Sequence, residues 1–159
     1  MKTLHYSILF LAFLSFFSSE KEDQLVLQTG DHLIFGSFAG ECIGDQCVEL
    51  FKLSDTGLFE TDDDRFPLLP PFGGVFTAMS SDLFEDTKVL LEAFPTELLK
   101  REEESFGCPD CVDQGGIYLE YKDGVVYHVW ILDTDIEALP AFLQDYTTLV
   151  AGKIRMLRE

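Results

Sequence analysis

Apolar positions recur along this chain with two periods. Residues 32–39 (HLIFGSFA) and 47–53 (CVELFKL) are short runs rich in β-branched and aromatic side chains, and both read as strands. A shorter run, 24–28 (QLVLQ), reads as a further strand, closed by the turn residues 29–31. The strongest strand signal is GIYLEYKDGVVYHVWIL, where Asp123-Gly124 is a two-residue turn between alternating segments. Pairing about that turn sets Tyr121 against Val126, Leu119 against His128 and Ile117 against Trp130. Ile117, Leu119, Tyr121, Val126, His128 and Trp130 then share a face without formal charge, the expected core face. Tyr118, Glu120, Lys122, Val125, Tyr127 and Val129 share the other.

Two segments follow a helical period instead. In 80–94, Leu83, Phe84, Leu90, Leu91 and Phe94 form one stripe, Ser80 or Ser81 is placed to cap, and Pro95 ends the run. In 138–157, Phe142, Leu143, Tyr146, Leu149, Val150, Ile154 and Leu157 recur at steps of three and four, with basic residues toward the C-terminus. The segment 54–79 holds Pro-Pro and Gly-Gly pairs and three successive aspartates, and reads as a long loop with a short strand near 75–77. Residues 100–104 read as a solvated helix end. The fold class is therefore α+β: an antiparallel sheet of about five strands with two main helices packed on one face.

The first residues differ in kind. Lys2 precedes an apolar run from Ile8 through Leu14, extended by Phe16 and Phe17, then Ser18, Ser19 and charge. This is the layout of a secretory signal. The run is short of the roughly 20 apolar residues that a spanning helix needs, so no stable membrane span is expected after cleavage. Residues 1–19 are assigned to the signal and 20–159 to a single α+β domain, exported to the periplasm or the extracellular space.

Composition narrows the partners. The chain has 159 residues, 47% hydrophobic, so it can bury a core. Its formal net charge of −18 repels phosphate backbones, which argues against nucleic acid and leaves an unknown protein or small molecule as partner.

Export bears on the four cysteines, Cys42, Cys47, Cys108 and Cys111, because exported thiols usually pair. The close spacings suggest Cys42–Cys47 and Cys108–Cys111; links between the two sites stay open. A Cys42–Cys47 bond would close a hairpin with Phe38 opposite Phe51 and Ser37 opposite Lys52. Cys108-Pro-Asp-Cys111 also has the spacing of thiol–disulfide exchange sites. No helix pattern follows Cys111, however, and Asp110 and Asp113 are charges that raise a thiol pKa. Four thiolates could instead hold zinc. Asp62, Asp63 and Asp64 could offer oxygens to calcium, although the alternating calcium-loop pattern is absent. His128, in a strand and facing the core beside Trp130, is the remaining candidate functional residue; no nucleophile is placed by sequence to pair with it.

The segments FGSFAGECIGDQCVELFKL, DTGLFE, DDDRFP, DQGGIYLEY and HVWILDTD together resemble an uncharacterised group of small exported bacterial proteins, over residues 32–157. The resemblance implies a compact exported domain and supplies no catalytic residue. The expectation is an exported, acidic, disulfide-containing domain without catalytic residues or cofactor, engaged in binding through the 54–79 loop and the two cysteine loops. The alternatives are a metal-binding protein using zinc or calcium, and a thiol oxidoreductase.

Overall fold

A computed structural model describes residues 25–42, 47–61 and 72–159. The expected signal segment lies outside the described residues. Seven strands form one sheet: β1 (His32–Phe38), β2 (Val48–Ser54), β3 (Leu58–Thr61), β4 (Phe76–Ala78), β5 (Ser105–Phe106), β6 (Gly116–Asp123) and β7 (Val126–Asp133). Their order is β4-β3-β2-β1-β6-β7-β5, antiparallel throughout except for the short parallel β5–β7 pair. The class is α+β as expected, but the sheet is larger. The added strands are β3, which lies where the sequence reads as loop, and β5, which follows directly on the run 100–104 read as a helix end. The segment 25–28 is not a strand.

The helical layer consists of α1 (Ser81–Thr87), α2 (Val89–Glu92) and α3 (Ala141–Leu157), with 3-10 turns at Leu98–Lys100 and Ile136–Ala138. Ser80 caps α1 by accepting the Leu83 N–H at 3.3 Å. The expected 80–94 helix breaks at Lys88. Just before the break, the buried Thr87 hydroxyl donates to the Leu83 carbonyl at 2.7 Å, a bond that bends helices.

The helices cover one face of the sheet, where Leu33, Phe35, Phe51, Leu53, Leu119, Tyr121, Trp130 and Leu132 form the main core with Leu90, Phe94, Leu143 and Val150. The opposite face is covered as well. Ile34, Phe38, Val48, Leu50 and Tyr118 pack there with Phe72, Phe76, Val129 and Ile131. This corrects the sequence reading of Tyr118 and Glu120 as outward: both are fully buried.

The strand registers also correct the sequence reading. In the β6–β7 hairpin Tyr121 pairs with His128 and Leu119 with Trp130. Gly124, at φ +59°, takes the first central turn position, where a type II′ turn uses glycine. The slip from expectation is two residues, so each side chain keeps its face. In β1–β2, Phe38 pairs with Val48 and Phe35 with Phe51. That slip is three residues and changes parity, so Phe38 and Phe51 lie on opposite faces. Apolar residues fill both faces of β1, so alternation carries no register signal there.

Gly36 marks the tightest contact between β1 and β2, because a Cβ there would collide with the Glu49 carbonyl and the Leu50 side chain. Gly36→Val is expected to cost about 3 kcal/mol or more in urea unfolding, through forced strand separation. Gly73→Ala, with open space around its Cβ position, should stay within about 0.5 kcal/mol of the parent.

Candidate functional site

The four cysteines form two bonds at one end of the sheet, Cys42–Cys47 and Cys108–Cys111, with Cα separations of 5.4 and 5.5 Å. Each closes a short loop, worth about 2 kcal/mol on the chain-entropy account, so both act as local clips. Asp110 joins them. Its carboxylate accepts the Gly40 N–H at 3.0 Å and the Gly115 N–H at 2.9 Å, and its own N–H donates to the Gly115 carbonyl at 2.9 Å. Asp110 and Asp113 both take left-handed backbone, φ +57° and +60°, which short polar side chains tolerate. Asp133, at the end of β7, accepts the Cys108 N–H at 2.7 Å and the Asp135 N–H at 2.9 Å. These backbone donors, that of Asp135 first, hold its carboxyl below the usual carboxylate range.

Cys108 and Cys111 are exposed, and the chain passes from Cys111 through a turn into β6. The helix N-terminus that lowers a thiol pKa in exchange sites is therefore not beside this pair. Zinc ligation by these sulfurs would first require reduction of both bonds. Asp62, Asp63 and Asp64 lie outside the described residues. Among the described residues, no three metal-ligating side chains converge.

His128 and Trp130 lie on the helix-covered face as expected, but at different depths. Trp130 is buried and His128 half-buried. His128 stacks on Trp130 at 5.7 Å and on Tyr121 at 6.2 Å between ring centres, and its ring makes no hydrogen bond among the described residues. Phe94 completes this aromatic layer, 6.1 Å from Trp130, 5.9 Å from Tyr121 and 5.5 Å from Tyr146.

Beneath the second face lies a polar cluster that the sequence reading missed. Glu120 accepts the Tyr118 hydroxyl at 2.6 Å and the Phe72 N–H at 3.1 Å, and its other oxygen is 3.5 Å from His32 Nε2. Burial first, then the Glu120 carboxylate, push the Tyr118 phenol far above its ordinary range. Lys52, two strands from Glu120 across Ile34, lies over the Phe76 and Phe59 rings at 4.3 and 5.1 Å; burial lowers its pKa. One signal was available in the sequence: Glu120 is the one acid within the otherwise apolar run Ile117–Tyr121. A charge at such a position points to a partner.

A concavity opens on the helical layer. It has a volume of about 530 Å³ and lies between the connection 92–97 and the first half of α3. That size is within the range of small-ligand sites. Phe94, Phe142, Tyr146 and Leu149 supply its apolar surface, and Glu92, Glu97 and Asp145 its charged rim. Phe142, Asp145, Tyr146 and Leu149 reach it together because steps of three and four share a helix face. The Tyr146 hydroxyl is buried without a hydrogen-bond partner among the described residues, and burial pushes its pKa far up.

No protein-family model matches the chain, and no curated protein matches it in sequence.

Two expectations test these clusters. Glu120→Ala should cost about 3 kcal/mol in urea unfolding, because it strands the Tyr118 hydroxyl and the Phe72 N–H. In a cycle with Tyr118→Phe, the double variant should lose clearly less than the summed single losses; additive losses would mean the pair is uncoupled. For Asp133, the folded carboxyl titrates below its unfolded value. Its stabilisation is thus present above the ordinary carboxylate pKa and lost as pH falls through the folded one. The gap in Tm between the parent and Asp133→Asn should be widest near pH 7 and shrink toward pH 3.

Proposed function

We propose that this chain is an exported, disulfide-clipped binding domain whose ligand seats in the groove between residues 92–97 and α3. The observation that carries the reading is the groove itself. A concavity of the size of a ligand site is backed by a packed layer of rings, and it is lined by half-buried Phe142 and Leu149 together with Glu92, Glu97 and Asp145. Phe94 does not stand alone as a surface ring. Its contacts with Tyr121, Trp130 and Tyr146 make the floor rigid, and a rigid floor lowers the entropic cost of binding. The expected signal segment and the two disulfides support export. The resemblance to small exported proteins points the same way.

A second reading, thiol–disulfide exchange, draws on the exposure of Cys108 and Cys111. It lacks the electrostatic support that lowers a thiol pKa. Clip and exchange site separate in an insulin-reduction assay.

Fragment screening by amide chemical shifts should place hits on 92–97 and 142–149. Ala93→Tyr, which fills the groove from an exposed position, should remove them. Hits scattered elsewhere, or insulin reduction abolished by Cys108→Ser, would overturn the assignment.

A further inference from the structure

Acids outnumber bases at the rim of this groove, where Arg101 lies against Phe142 and pairs with Glu97. The Glu92 and Asp145 carboxylates make no ion pair or hydrogen bond among the described residues, whereas Glu97 is paired with Arg101. Glu92 closes α2 and Asp145 lies on α3, and both line the groove together with Phe94 and Phe142.

We infer that the groove receives an arginine or lysine side chain of a basic peptide segment on a partner protein. This rests on the reading of the groove as the ligand site. The alkyl stem lies on Phe94, Phe142 and Leu149, and the cationic head meets Glu92 and Asp145. Long basic side chains combine an apolar stem with a charged tip, which is the combination this lining complements. Arg101 already shows the chemistry within the chain: its guanidinium lies 5.1 Å from the centre of the Phe142 ring while pairing with Glu97. A neutral apolar occupant would desolvate the rim carboxylates without compensation, and an anionic one would be repelled. The net charge of −18 adds a long-range field that steers basic partners toward the chain.

Trp130 is the sole tryptophan of the chain and lies 6.1 Å from Phe94, so its emission reports on the groove. The test titrates the folded chain with the peptide Ac-Arg-Leu-Leu-Arg-amide at low salt, followed by Trp130 emission and calorimetry. Saturable binding is expected, weakening as salt is raised. It should fall at least tenfold in the Glu92→Gln, Asp145→Asn double variant and remain unchanged in Glu41→Gln, a control at the disulfide end. Both rim residues are exposed, so the double variant should keep the parent Tm. Equal binding of Ac-Glu-Leu-Leu-Glu-amide, or of the arginine peptide to the double variant, would overturn the inference. Spermidine binding as tightly as the peptide would overturn the assignment to a peptide segment. If neutral fragments seat in the groove while the arginine peptide does not bind, the cationic ligand fails and the groove stands. If neither seats there, both fail.

Discussion

Strand β1 lies between β2 and β6 and is covered on both faces, and most of the structure follows from that burial. Leu33 and Phe35 enter the helix-covered core, while Ile34 and Phe38 enter the second one. Gly36 lets β2 approach closer than any side chain permits. Glu120 itself is fully buried. The carboxylate of Glu120 therefore carries its own partners, a phenol, a backbone N–H from the returning segment and a histidine at the edge. That Phe72 N–H ties the segment entering β4 to the middle of the sheet, so the polar cluster helps to hold the cover that buries it.

The disulfide end shows how one short acidic side chain can organise two loops. Asp110 sits between the cysteines of one loop and bonds a glycine amide just outside the other. The same carboxylate secures the Gly115 turn that starts β6. Cys108-Pro-Asp-Cys111 thus belongs to a bonded network continuous with β1, β6 and β7. Two bonds closing short loops reinforce a fold whose main stabilisation is the two-sided core, since each contributes far less than the buried rings and branched side chains together.

The groove depends on the interruption of the helical layer. A continuous helix over 80–94 would carry its last turn onward; instead the bend at Thr87–Lys88 and the end of α2 at Glu92 turn the chain across α3. The connection 92–97 then faces Phe142, Asp145 and Leu149 from the opposite side. Phe94 fills the base of that crossing and links it to Trp130 and, through Trp130, to His128. The two residues that the sequence singles out therefore lie behind the groove, as support for its floor.

Local periodicity was enough to place α3, the capped start of α1 and the β6–β7 hairpin with its faces, because each depends on contacts only a few residues apart; the spacing of the cysteines suggested their pairing and left links between the two sites open. The chain alone could not set the β1–β2 register, since both faces of β1 are apolar and alternation vanishes. Nor could it show that β5 joins the sheet, because a two-residue strand gains its stability from β7, which lies beyond the whole of β6. β3 pairs locally with β2 across a tight turn, but the segment 54–79 lacks the strand periodicity that would reveal it. The tertiary structure alone decided that Glu120 lies buried, because its partners Phe72 and His32 are 48 and 88 residues away. It also decided that Phe94, Asp145 and Glu92 meet around one groove. Residue types and spacing set what each segment can form locally, while long-range packing sets which segments meet.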